Sequence, residues 1–95
     1  MYQKQLPENS GMIFIFDKPV RTDFWMKNTL IPLDMIVISP DLKVVDIKMN
    51  LVPMSDDPII SDALSSYVIE VNAGFCERNG IAIGDTVSLH LNKLF

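Results

Sequence analysis

Six short runs rich in Ile, Val, Phe and Tyr, at residues 12–16, 22–28, 33–39, 42–52, 66–71 and 85–91, are divided by Pro, Gly, Asn and Asp. Branched and aromatic residues between such breakers read as strands joined by turns, so the expectation is an all-β fold of six strands. Leu33 to Ile38 is apolar on both alternations after Asp34 and reads as a central strand. Val44, Asp46 and Lys48 alternate with Val45, Ile47 and Met49, which suits a strand with one wetter face. Asp41-Leu42 is expected to close a hairpin, and Asp17-Lys18-Pro19 to form a turn whose proline donates to no ladder. One short α-helix is expected, with Asn72 as N-cap, Ala73 to Asn79 winding about two turns and Gly80 ending it in the left-handed region. Residues 53–65, with two prolines, three aspartates and several serines, read as a connecting loop with Ile59 and Ile60 tucked beneath it.

Ninety-five residues at 48% hydrophobic suit one domain over residues 1–95. Such a chain buries roughly 60 to 65% of the surface it exposes when unfolded. Cys76 is the sole cysteine, so no intrachain disulfide forms. The apolar runs are of strand length, short of the ~18 residues of a membrane span. Eight basic residues, dispersed along the chain against twelve acidic ones, give a net charge of −4 and no cationic tract for a phosphate backbone, so a nucleic-acid partner is not expected.

Chemistry concentrates at Phe24-Trp25-Met26-Lys27-Asn28-Thr29-Leu30-Ile31-Pro32-Leu33-Asp34. On an extended chain Trp25, Lys27 and Thr29 share a side, supplying a stacking platform, a cation and a hydroxyl. The alternative is that Trp25 caps the core while the Lys27 stem lies over it. Asn28 and Asp34 flank Pro32 and are residue types that bind backbone amides to hold turns. Glu70 stands in the apolar run Tyr67 to Val71, where a carboxylate pairs with Lys27 across the sheet or serves as an acid or base. Asn72 reads either as helix cap or ligand contact. His90 and Cys76 fall in different elements, so no zinc set is expected, and Asp56, Asp57 and Asp62 lack EF-hand spacing. No Gly-x-Ser-x-Gly elbow, phosphate-binding glycine loop or dinucleotide fingerprint occurs, and no cofactor is expected.

Together with Tyr67-Val68-Ile69-Glu70-Val71-Asn72-Ala73-Gly74-Phe75, the tail Asn79 to Val87, and Gly11-Met12-Ile13-Phe14-Ile15-Phe16 ahead of it, the Trp25 run resembles the DUF192 family of bacteria and archaea. The resemblance implies a small β-rich sandwich or irregular barrel with no established activity. It also implies a preceding strand and an arginine where this chain carries Gln3, so the chain is expected to lack the family's amino-terminal piece. Two consequences are expected. A strand edge left unpaired favours a homodimer, or self-capping by Met1 to Leu6. The chain as given reads as cytoplasmic, and as an envelope or secreted protein if an export signal precedes it.

Two functions fit these residues. The first is a non-enzymatic domain that binds a small polar ligand or an extended peptide at a shallow site formed by Trp25, Lys27, Asn28 and Thr29, with Asp34, Glu70 and Asn72 as further contacts. The second is a hydrolase or transferase with Asp34 or Glu70 as general base and Lys27 stabilising developing negative charge. No nucleophile or metal set accompanies those carboxylates, so the first is the preferred reading.

Overall fold

The apolar runs on either side of Asp17-Lys18-Pro19 join into a single strand, β1 (Gly11–Trp25), in the computed structural model, which describes residues 8–26 and 29–90 and omits the side chains of Thr22 and Trp25. The expected turn is instead an irregularity within this strand. β1 pairs antiparallel with β4 (Pro58–Asn72), and the register passes from Ile15 opposite Tyr67 to Val20 opposite Ser65. The surplus β1 residues bulge out of the ladder, where the missing N–H of Pro19 leaves no bond unmade. The Ser65 hydroxyl donates to the Val20 carbonyl at 3.1 Å, fastening the far side of the bulge.

Strand β4 also overturns the expected loop at residues 53–65, because pairing with β1 begins at Pro58. The physical reason lies in its inverted pattern. Ser61 and Ser65 point inward and are buried, while Ile60 and Leu64 point outward, 56% and 54% exposed. A strand with hydroxyls inside and aliphatics outside carries none of the usual hydrophobic alternation. Ile59 is partly buried, as expected, but Ile60, its neighbour, necessarily faces the other way.

Strands β2 (Leu33–Ile38) and β3 (Val44–Leu51) complete one sheet of order β1-β4-β2-β3. Every residue of β2 is buried, in keeping with a central strand. The β2–β3 hairpin turns through Asp41 and Leu42 as expected. Leu42 takes a left-handed φ of 62°, and the Ser39 N–H donates to the Lys43 carbonyl. The Ser39 hydroxyl bonds Asp41, whose carboxyl is held below its usual range by that bond. Of the strand expected at 85–91, the described residues 85–90 form only a single bridge, from Thr86 to Lys43. The fold is therefore all-β with four strands among the described residues, not six.

The sheet carries apolar clusters on both sides. One side packs Ile36, Ile38, Val44 and Val71 under the helix α1 (Phe75–Arg78) and the segment holding Ile81 and Val87. The other packs Met35, Val37 and Val68 against Phe14, Phe16, Phe24 and Ile59. Phe14 and Phe24 lie on opposite sides of the β1 bulge, yet their ring centroids are 5.5 Å apart. The bulge thus folds the distal β1–β4 ribbon back over its own sheet, and the Ser61 hydroxyl closes it onto β3 by donating to Asp46 at 2.6 Å. Burial, which alone would raise the Asp46 carboxyl, is outweighed by that hydroxyl, the Lys48 ammonium and the Ile47 N–H, so its pKa lies below the ordinary value.

Candidate functional site

Asp34 sits within β2, and its side chain is fully buried. Its Oδ1 accepts the Asn50 N–H at 2.9 Å, and its Oδ2 accepts those of Gly74 and Cys76 at 3.1 and 3.0 Å. Each donor is one that regular structure leaves over. In the β2–β3 pairing, Leu33 lies opposite Leu51 and Met35 opposite Lys48, so β3 has one residue too many here. Asn50 absorbs it in the left-handed region, φ 56°, and its N–H leaves the ladder. Gly74 and Cys76 carry free N–H groups at the start of α1.

Asp34 therefore does for the helix what Asn72 was expected to do. The N-cap position is Gly74, at φ 91° and without a side-chain cap of its own, and the capping oxygen arrives from a strand forty residues earlier. Asn72 ends β4 instead and has hydrogen-bonding company of its own. The helix is one turn over Phe75–Arg78, shorter than the two turns expected, and Gly80 follows it at φ 63° as the sequence implied.

The thiol of Cys76 lies in this buried corner. Burial, then the Asp34 charge, then a hydrogen bond with Asp34 push its pKa up to about 11. It stays protonated near neutrality and is a poor nucleophile.

Glu70 lies on the other side of the sheet. It pairs laterally with Met12 of β1 and Met35 of β2, and the row continues to Lys48 of β3. The residue is 9% exposed overall, and among the described residues no hydrogen bond or ion pair reaches its carboxyl, whose oxygens keep contact with solvent. Burial pushes its pKa up. Asn72, two residues on, shares this side of β4, opposite Leu33. Glu70 and Asn72 are thus brought together, and Asp34 is turned away from them.

Thr29 lies in the connection between β1 and β2. Its N–H donates to the Met26 carbonyl, and its own carbonyl accepts the Met54 N–H at 3.0 Å. Met26 beside it is buried. Lys27, Asn28 and the Trp25 side chain lie outside the described residues, and so does the expected contact of Lys27 with Glu70 or Asp34. Among the described residues, no group of three His, Cys, Asp or Glu could hold a metal ion, and no helix is long and apolar enough to cross a membrane. Sequence reasoning missed the Ser61–Asp46 bond; it expected Asp34 to bind backbone amides, but nearby ones around Pro32 and not those of Asn50, Gly74 and Cys76. A lone aspartate within an otherwise apolar central strand was the signal for the latter.

A single antiparallel sheet curled over itself, with one helical turn capped from a central strand, defines a small all-β domain. The chain belongs to the DUF192 family, described as "Uncharacterized ACR", whose profile matches residues 1–89. Two solved structures are similar. One is from Sinorhizobium meliloti, described as a "putative transcription regulator": 41% identity, TM-score 0.87, covering 90% of this chain and 67% of that one. The other is a protein of unknown function from Novosphingobium aromaticivorans: 38% identity, TM-score 0.87, covering 92% of this chain and 62% of that one. The chain thus spans roughly two thirds of each relative's length. No significant match is found among curated proteins.

Proposed function

We propose that this domain binds, without turnover, a small polar ligand or an extended peptide segment bearing a cationic or hydrogen-bond-donating group. The site comprises Glu70 and Asn72 on β4 together with Trp25 at the end of β1 and Lys27, Asn28 and Thr29 after it in the chain. The observation that carries this reading is Glu70: an acid flanked by two methionines, largely but not wholly withdrawn from solvent, with its pKa raised by burial and no partner among the described residues. An uncompensated acid of this kind destabilises a fold, and a ligand that donates to it recovers the loss. Asp34 belongs to the scaffold in this reading, since its oxygens are taken by backbone amides and it offers no accessible surface.

A hydrolase or transferase is less well supported. Glu70 has the raised pKa of a general acid, but the nearest-suited nucleophiles are engaged elsewhere: Ser61 is buried and donates to Asp46, and the Cys76 thiol is protonated. Nor does the description of the Sinorhizobium relative point this chain to DNA, given the net charge of −4.

The test is titration of the isotopically labelled protein with agmatine and with a Gly-Lys-Gly tripeptide, followed through the amides of Thr29, Glu70 and Asn72. Saturable shifts that vanish in a folded Glu70→Gln variant are expected. Shifts indifferent to Glu70→Gln, or none with either probe, would remove the proposal.

A further inference from the structure

On the side of the sheet opposite Glu70, the roof formed by α1 and the segment of Ile81 to Val87 stops short of β1. Ile13, Ile69 and Ile36 lie in one row across β1, β4 and β2. Ile36 is 5% exposed under the roof, whereas Ile13 at the other end of the row is 39% exposed. Between them runs a trough of about 440 Å³, floored by Ile13, Ile69 and Val71 and walled by Phe75, Ile81 and Val87. That volume falls within the range of small-molecule sites, roughly 300 to 1,000 Å³, and the lining has the expected apolar character with few polar groups.

The polar groups sit at two ends. Asn9 and Ser10 stand where Gly11 meets Val71, and Asp85 and Thr86 stand beside Val44, which pairs with Ile38. The two ends are offset by four residues along the strands and by three strand spacings across the sheet, so they lie about 19 Å apart. The charge of the rim narrows the occupant. Among the described lining residues there is no Lys or Arg, and the one carboxylate, Asp85, accepts the Ala82 N–H at 2.9 Å. With a net charge of −4, an anionic amphiphile is disfavoured.

We infer that this trough is a binding site for an uncharged, elongated apolar molecule with hydroxyl or amide groups at its ends. It is separate from the Glu70 side and does not depend on the function proposed for it.

The experiment uses the full chain and the neutral fluorophore N-phenyl-1-naphthylamine. Saturable binding of one probe per chain is expected, displaced by dodecanol and by decanamide but at least tenfold less well by dodecanoate. Ile13→Lys places an ammonium on the half-exposed floor and is expected to weaken binding at least tenfold with the melting temperature retained. If that variant unfolds, Thr86→Trp, which blocks the trough from an exposed rim position, decides instead by the same loss. Absence of saturable binding, equal displacement by dodecanoate, or binding unchanged in the deciding variant would overturn the inference. A chain that is dimeric at the assay concentration and takes up probe only on dilution would likewise overturn it and assign the trough to a second copy.

Discussion

Replacing Asp34 by alanine removes the single acceptor of three backbone N–H groups, one in β3 and two at the start of α1. The Cys76 amide is fully enclosed and those of Asn50 and Gly74 partly so. A buried donor left without an acceptor costs about 1–3 kcal/mol, toward the low end where water can enter. Losses within one cluster are not additive, so the sum is about 3–5 kcal/mol. A domain of 95 residues has roughly 5–14 kcal/mol of stability in total, so Asp34→Ala leaves a marginal fold. Asp34→Asn keeps one carbonyl oxygen. Turned toward Gly74 and Cys76 it loses only the Asn50 bond and the charge, about 1–2 kcal/mol. Urea unfolding of the three proteins measures both differences. Amide exchange supplies the local readout, with Asn50 accelerating in Asp34→Asn more than Gly74, Cys76 and the amides in the middle of β4. An Asp34→Ala variant within about 1 kcal/mol of the parent would refute the reasoning, because solvent or rearranged backbone would then satisfy all three donors at no cost.

Other outcomes follow from the titrating groups and the sheet closure. In Glu70 the folded state favours the neutral acid, so stability falls as pH rises from the unfolded carboxyl value near 4.5 through the raised folded one, then levels. Glu70→Gln is expected to flatten that decline and to raise the melting temperature at pH 7; an unchanged pH profile would show the carboxyl to be solvated. The Cys76 thiol, with its pKa near 11, should resist alkylation by iodoacetamide at pH 8 in the native protein and react only after denaturation. Stability should fall between about pH 9 and 11 by roughly 2–3 kcal/mol, as the unfolded thiol ionises first, and Cys76→Ala should remove this alkaline slope. Ser61→Ala should cost about 1–2 kcal/mol and raise the Asp46 pKa in an NMR titration. Light scattering over a dilution series tests the expected homodimer through the β1 edge, where Ile15 is 53% exposed; a monomer at every concentration would remove the dimer and leave self-capping by Met1 to Leu6 as the remaining expectation.

Much of this architecture was legible because local pattern and tertiary placement agreed. Leu33 to Ile38 reads as a central strand and is one, and the Asp41-Leu42 hairpin needs only neighbouring residues to form. What escaped depends on contacts distant in the chain. Residues 58–65 hide a strand because their inward positions are filled by Ser61 and Ser65, whose partners Asp46 and Val20 are set by the fold. Asn72 suits an N-cap by type, yet an acceptor forty residues earlier occupies that role. Of the candidate site, the placement of Glu70 beside Val68 on one side of β4 follows from strand periodicity alone. That its neighbours across the sheet would be Met12 and Met35, with no charge opposite, required the register.

The order of strands in space also dictates a schedule during synthesis. Among the described strands β1 leaves the ribosome first, yet its ladder partner, β4, leaves last: Gly11 bonds alongside Val71, and Trp25 alongside Pro58. At about 5–20 residues per second, the first strand waits some seconds for its complement. The β2–β3 hairpin can close during that interval, having only a five-residue connection to span. β1 has no described strand to pair with in that interval, and carries Phe14, Ile15 and Phe16 in an uninterrupted apolar run. A nascent chain of this topology is therefore most vulnerable to association with its neighbours on a polysome, before the final strand has emerged, and Asp17-Lys18-Pro19 interrupts the sticky segment where a charge and a proline do most to discourage that pairing.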